Sequence, residues 1–174
     1  MQRMVRGLVW LAALVILTSS AAAAGSVSSG GAGGLKTLSY GKPPPDFWFD
    51  LGAGSQDVRG LVGRPVVINF WATWCEPCAL ELGAFDRLRA TYGERVRLLT
   101  VSDEAPDTVR DFLAAHGFDL PFVDDPDRNI FKAYSVTPLP ATVIVAKDGT
   151  VSRVIVGAME WKELAGDVDA ELAR

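Results

Sequence analysis

Cysteine and histidine are almost absent from this 174-residue sequence, which holds two cysteines, at 75 and 78, and one histidine, His116. A structural zinc site takes four ligands, mostly Cys and His, so that class is excluded by count. Disulfide frameworks of small secreted domains use more cysteines at wider spacings, and closing so short a loop constrains the unfolded chain little. The pair is better placed as a reagent than as a staple. Lys and Arg number 17 but never run three together, so the basic patch that nucleic acid needs is missing. The net charge of −4 bears on solubility alone. No segment repeats.

What is present suits one folded domain behind a leader. Hydrophobic residues make up 49% of the chain, enough to fill a core. Arg3 and Arg6 precede an apolar run from Leu8 to Leu17, and the small residues Ala21 to Ala24 follow. This layout predicts residues 1–24 as a signal peptide or an uncleaved signal anchor, because Leu8 to Ala24 carries no charge and approaches the ~17–25 residues of a membrane span. Either way the body of the protein is exported, to the periplasm or the outer face of the cytoplasmic membrane. Removing Arg3 and Arg6 takes the net charge from −4 to −6. Residues 25–44 read as a flexible Gly/Ser/Pro linker, a tether if the leader stays in the membrane. The folded domain is expected over 45–174.

Phe47-Trp48-Phe49 reads as a short strand, and 52–63 as a loop. Pro65 to Trp71 is an apolar, β-branched run that predicts a central strand covered on both faces. Residues 76–92 switch to helical spacing, with Cys78, Leu82, Phe85, Leu88 and Tyr92 on one stripe, Pro77 in the first turn and Gly93 as the stop. Then come a strand over 95–101, a helix over 106–116 ended by Gly117, and an extended piece at 121–123. A helix follows over 127–134, capped by an acid. Strands at 141–146 and 150–156 flank a Lys147-Asp148-Gly149 turn, and a helix over 160–172 closes the chain. Early βαβ units predict parallel strands and the last hairpin antiparallel ones. The expected class is α/β, a central mixed sheet with helices on both faces.

In Cys75-Glu76-Pro77-Cys78 two thiols meet across one helical turn. Cys75, at the helix N-terminus, is expected to face outward, and Cys78, on the apolar stripe, to be shielded. That asymmetry makes Cys75 the attacking sulfur and Cys78 the resolving one. The helix N-terminus favours a thiolate, whose pKa in such places falls from ~8.5 to roughly 3.5–7.5. Glu76 opposes deprotonation by like charge, and Pro77 keeps the first turn tight.

The segment Phe70-Trp71-Ala72-Thr73-Trp74-Cys75-Glu76-Pro77-Cys78, with Glu81 and Thr137-Pro138-Leu139-Pro140-Ala141-Thr142, resembles the ResA/TlpA branch of the thioredoxin superfamily. The resemblance covers roughly residues 44–172 and implies the thioredoxin-like fold. It implies an extracytoplasmic thiol–disulfide oxidoreductase without a cofactor or metal, a monomer with a redox disulfide Cys75–Cys78. It also implies reduction of protein disulfides, apocytochrome c among them, with electrons from a membrane thiol carrier. Pro140 matches the proline preceded by a cis peptide bond, which would sit beside the disulfide and leave the Leu139 backbone free for a substrate strand. Glu81 matches an acid kept near the cysteines and is expected to be partly buried and to move protons for Cys78. Two departures stand out. Asn69 occupies the place of the buried acid of thioredoxin itself, and Leu82-Gly83 replaces a helix-kinking proline.

Trp71 is expected in the core, Trp74 on a docking surface, Trp48 and Trp161 in packing, and His116 exposed. Asp124-Asp125-Pro126-Asp127 reads as a solvated turn and helix cap in preference to a calcium site. Three rival functions stay open. An exported oxidant of folding proteins would share the chemistry, and a reduction potential near about −120 mV rather than about −270 mV would mark it. A copper-binding thiol module would lack a nearby His or Met partner. A peroxidase would need a Pro-x-x-x-Thr-x-x-Cys pattern, which no cysteine here follows.

Overall fold

The computed structural model describes residue 35 and residues 37–174. The expected leader 1–24 and the stretch 25–34 lie outside them. Five strands form the main sheet: β3 (Val66–Trp71), β4 (Arg97–Ser102), β5 (Phe122–Asp124), β6 (Ala141–Val145) and β7 (Val151–Val156). Their order is β5-β4-β3-β6-β7. The β3–β4 and β4–β5 pairs are parallel, while β3–β6 and β6–β7 are antiparallel. The sheet is therefore mixed, as the order of elements predicts. A separate ribbon pairs β1 (Trp48–Phe49), the short strand expected there, with β2 (Gln56–Asp57), which lies in the stretch read as a loop.

Every residue of β3 is buried, which explains its unbroken apolar character. Side chains still alternate. Val66, Ile68 and Phe70 face one core; Val67, Asn69 and Trp71 face the other way. The Phe70 side packs against Phe131 and Tyr134 and against the segment from Leu35 to Leu61. The Val67 side receives α1 (Glu76–Tyr92), α2 (Pro106–His116) and α4 (Trp161–Leu172), through Leu82, Phe85, Val109, Leu164 and Val168. Both faces are covered, but unequally: the Phe70 face carries the short α3 (Asn129–Ala133), the β1–β2 ribbon and irregular chain.

Helix ends follow the local signals. Pro106 opens α2, and Gly117 closes it in the left-handed region at φ 72°, where its N–H donates to Ala114 O. Helix α1 runs unbroken through Leu82-Gly83.

Three expectations are corrected. The linker stops well short of Pro44: Leu35 is buried and donates to Ser135 O, and Gly41 and Lys42 exchange hydrogen bonds with Val151 on the edge strand β7. The edge strand's unpaired backbone groups draw the chain in. Trp48 does not pack; it is 67% exposed, because strand alternation sends Phe47 and Phe49 inward and the residue between them out. Helix α3 starts at Asn129 rather than at 127, and the acid that caps it is Asp125. Its carboxylate accepts from the N–H groups of Asn129 and Phe131, which leaves Arg128 as the residue before the helix. That cap accounts for the acidic stretch, and among the described residues no group of three His, Cys, Asp or Glu could hold a metal. His116 is exposed and stacks on Phe112.

Gly83 lies mid-helix and exposed, and a Cβ there would meet nothing within 4 Å. Gly83→Ala is expected to stabilise the protein by about 0.5–1 kcal/mol, read as a raised midpoint in urea unfolding.

Candidate active site

The central strand β3 gives way to α1 between Ala72 and Cys75. Cys75 is the N-cap residue, with extended backbone (φ −89°, ψ 98°), and among the described residues no side chain caps the helix end. The first-turn N–H groups therefore remain open toward the Cys75 end, with the positive end of the helix dipole. The sulfurs of Cys75 and Cys78 are joined as a disulfide. Pro77 stands in the first helical turn.

The two sulfurs are not equivalent. Cys78 is 0% exposed, and Cys75 is 5% exposed. Cys75 alone of the pair lines a cleft of about 520 Å³, with Trp74, Glu76, Pro77 and Leu139 among its other walls. The outward-facing Cys75 of the sequence reading is thus corrected. It is reached through a cleft rather than from open surface, because those walls close around it. Trp74 is 71% exposed at this opening, and Trp71 is buried against Phe112. The Leu139–Pro140 peptide bond is cis. Leu139 touches both cores from the cleft wall, and Pro140 is buried just before β6.

Glu81 is 2% exposed, with no cationic partner among the described residues. Its Oε1 accepts from Asn69 Nδ2 at 2.8 Å and its Oε2 from the Met159 N–H at 3.0 Å. Asn69 Nδ2 also donates to Thr142 Oγ1, across the β3–β6 register that sets Asn69 opposite Thr142. Burial pushes the Glu81 carboxyl up from 4.5 to about 7, while the hydrogen bonds from Met159 and Asn69 hold it lower than burial alone would. Asn69, a departure in the sequence reading, is the residue that touches the acid.

Glu104 is missed by the sequence reading. One oxygen accepts from the Thr73 N–H at 2.6 Å and the other from Thr73 Oγ1 at 2.7 Å. It fastens the loop after β4 to the loop that carries Cys75. Its place just beyond the carboxyl end of a parallel strand, beside β3, is the available signal.

Residues 40–154 match the AhpC/TSA family. The ResA thiol–disulfide oxidoreductase of Bacillus subtilis is 33% identical over 129 residues, covering 72% of each chain. That of Bacillus thuringiensis is 33% identical over 132 residues, 74% of this chain and 76% of the other. The chain belongs to the AhpC/TSA family, among its ResA-type members. A secreted Mycobacterium tuberculosis disulfide oxidoreductase homologous to DsbE superposes with a TM-score of 0.63 at 27% identity, over 71% of this chain and 95% of that one. A Chlorobium tepidum protein described as a putative DsbE gives 0.68 at 24% identity, over 78% and 99%, and supports the fold. The family contains the thioredoxin-like architecture that the resemblance implies.

The raised carboxyl of Glu81 links stability to pH. Unfolded, it loses its proton near 4.5; folded, it keeps it to about 7. Between those values the folded state holds the extra proton, so this contribution is full below 4.5 and is lost as pH rises through 7. Urea unfolding of the oxidised protein is expected to show a fall of about 3 kcal/mol across that window, removed in Glu81→Gln. A second expectation concerns Glu104. Glu104→Ala strips two hydrogen bonds from Thr73 and should cost about 1–3 kcal/mol in the same assay.

Proposed function

We propose that the protein is an exported reductase of protein disulfides, acting through Cys75 and Cys78. The observation that carries this reading is the inequality of the two sulfurs at the β3–α1 junction: Cys75 lines a cleft and Cys78 is sealed.

In the reduced protein the Cys75 thiolate attacks a substrate disulfide. A bond forms from Cys75 to one substrate sulfur, and the other leaves as thiolate and takes a proton. Cys78 then loses its proton and attacks Cys75 Sγ. The Cys75–Cys78 disulfide forms, and the second substrate sulfur leaves reduced. Two electrons pass to the substrate. Open N–H groups at the α1 terminus stabilise charge on Cys75. Glu81 receives the Cys78 proton: it lies three residues on along the same buried side of α1, and a carboxyl near 7 both takes and returns a proton at neutral pH. Trp74, Glu76, Pro77 and Leu139 shape the approach to Cys75, and Pro140 fixes the turn that presents Leu139.

Residues 1–24 act as signal peptide or anchor, placing the domain outside the cytoplasm. There a membrane thiol carrier returns two electrons to Cys75–Cys78. Apocytochrome c, whose cysteines must be reduced before haem attachment, is the substrate class that the ResA-type sequence favours. The short span between β4 and β6 holds only α2, β5 and α3, which favours a reductase over an oxidant carrying a large helical insertion.

Cys78→Ala leaves Cys75 able to attack but removes the resolving sulfur. This variant is expected to accumulate a mixed disulfide with substrate, seen as a reducible mass increase on non-reducing gels and lost in Cys75→Ala. Free, accessible Cys75 with no adduct in the cell envelope would sink the proposal.

A further inference from the structure

Among the described residues, Arg128 is the only cation lining the redox cleft. Its backbone lies in the left-handed region, at φ 58° and ψ 30°, a conformation that costs an ordinary L residue about 1 kcal/mol and suits Gly or Asn better. Three contacts hold it there. Its N–H donates to Asp125 O at 2.8 Å, and the buried Asp125 carboxylate grips the next turn at Asn129 and Phe131. The guanidinium stands 5.3 Å from the Phe131 ring centroid. Its Nε pairs with Asp103 Oδ2 at 3.2 Å, and Asp103 is nearly buried whereas the Arg128 side chain is half exposed.

That pairing engages one edge of the guanidinium. Among the described residues neither terminal nitrogen has a hydrogen-bond partner. A planar fork of donors, fixed at its base and open at its tip, is suited to a carboxylate. The other free charge in the cleft is Glu76, beside Cys75 on α1. An incoming acid is repelled from the Glu76 side and received at Arg128. Pro77, Pro138 and Leu139 supply apolar walls between.

We infer that Arg128 is a specificity-determining residue that selects and orients substrates carrying an acidic side chain beside the disulfide to be reduced. This rests on the disulfide-reductase reading above and names the substrate feature that the same cleft recognises. The contact is to a substrate group that takes no part in the exchange and is kept through the reaction, so it should act on KM and leave kcat little changed.

The test uses the full chain, kept reduced by a dithiol, and three disulfide-linked peptides alike except for flanking Glu, flanking Lys or neutral residues. Wild type is expected to show a kcat/KM for the Glu peptide about three- to tenfold above that for the Lys peptide, the difference lying in KM and shrinking with salt. Arg128→Asn, which keeps a residue suited to the left-handed backbone, should bring the ratio to about one. Arg128→Glu should invert it, and Arg128→Lys should retain part of it. Equal ratios in wild type and all variants, with all three peptides reduced, overturn the assignment of Arg128 alone. So does a loss of kcat common to every peptide with an unchanged ratio, which marks a structural role. Failure of wild type to reduce any of the three overturns the reductase reading and this inference with it.

Discussion

The redox pair is held at the end of a strand with no room to move. β3 is hydrogen-bonded on both sides, parallel to β4 and antiparallel to β6, and every side chain on it is buried. The chain must leave its end within a few residues and enter α1, so the first turn of that helix inherits the strand's rigidity. Cys75 gains a fixed place at a helix N-terminus from this constraint, and Cys78 gains its seal. Glu104 adds a brace from the neighbouring strand through Thr73. A site built on rigid elements keeps the two sulfurs in unequal surroundings, one at a cleft and one sealed.

Behind the pair the protein keeps a carboxyl where an apolar residue would pack more comfortably. Glu81 has no cation to offset its burial, only two donors, Asn69 Nδ2 and the Met159 N–H. Burying an unpaired charge costs far more than two hydrogen bonds return, so the group answers by holding its proton to a higher pH. Such a group is costly to stability at neutral pH and suited to exchanging a proton there. Under the proposed proton-transfer role, stability and function pull apart at this residue, as they commonly do in active sites.

The cleft extends the same logic outward. Glu76, Asp103 and Arg128 come from α1, the loop after β4 and the turn before α3. The sheet order brings these three chain ends to one side of β3. Asp125, buried and bonded to Asn129 and Phe131, fixes the turn from which Arg128 projects. The acidic stretch is the solvated turn and helix cap that the sequence suggests, with Asp125 alone of its acids buried as a support.

Much of the fold was legible from the residues alone. The β-branched run of β3, the stripe of α1, Pro106 and Gly117 around α2 and the turn before β7 are local signals, and each element formed close to where they fall. The Cys75–Cys78 spacing likewise named the site, because one helical turn is a local distance. Trp48 was not so legible: the expectation that it packs overlooks the alternation that gives Phe47 and Phe49 the buried face. What local signals do not carry is which distant residues meet. Asn69 reaches Thr142 across 73 residues, Glu81 reaches Met159 across 78, and Thr73 reaches Glu104 across 31. Those meetings depend on strand order and register, which arise only when the sheet assembles. The sequence by itself determined the elements and the reactive pair; the tertiary structure decided the environment of that pair, because burial and hydrogen bonding are properties of the packed whole and not of any one segment.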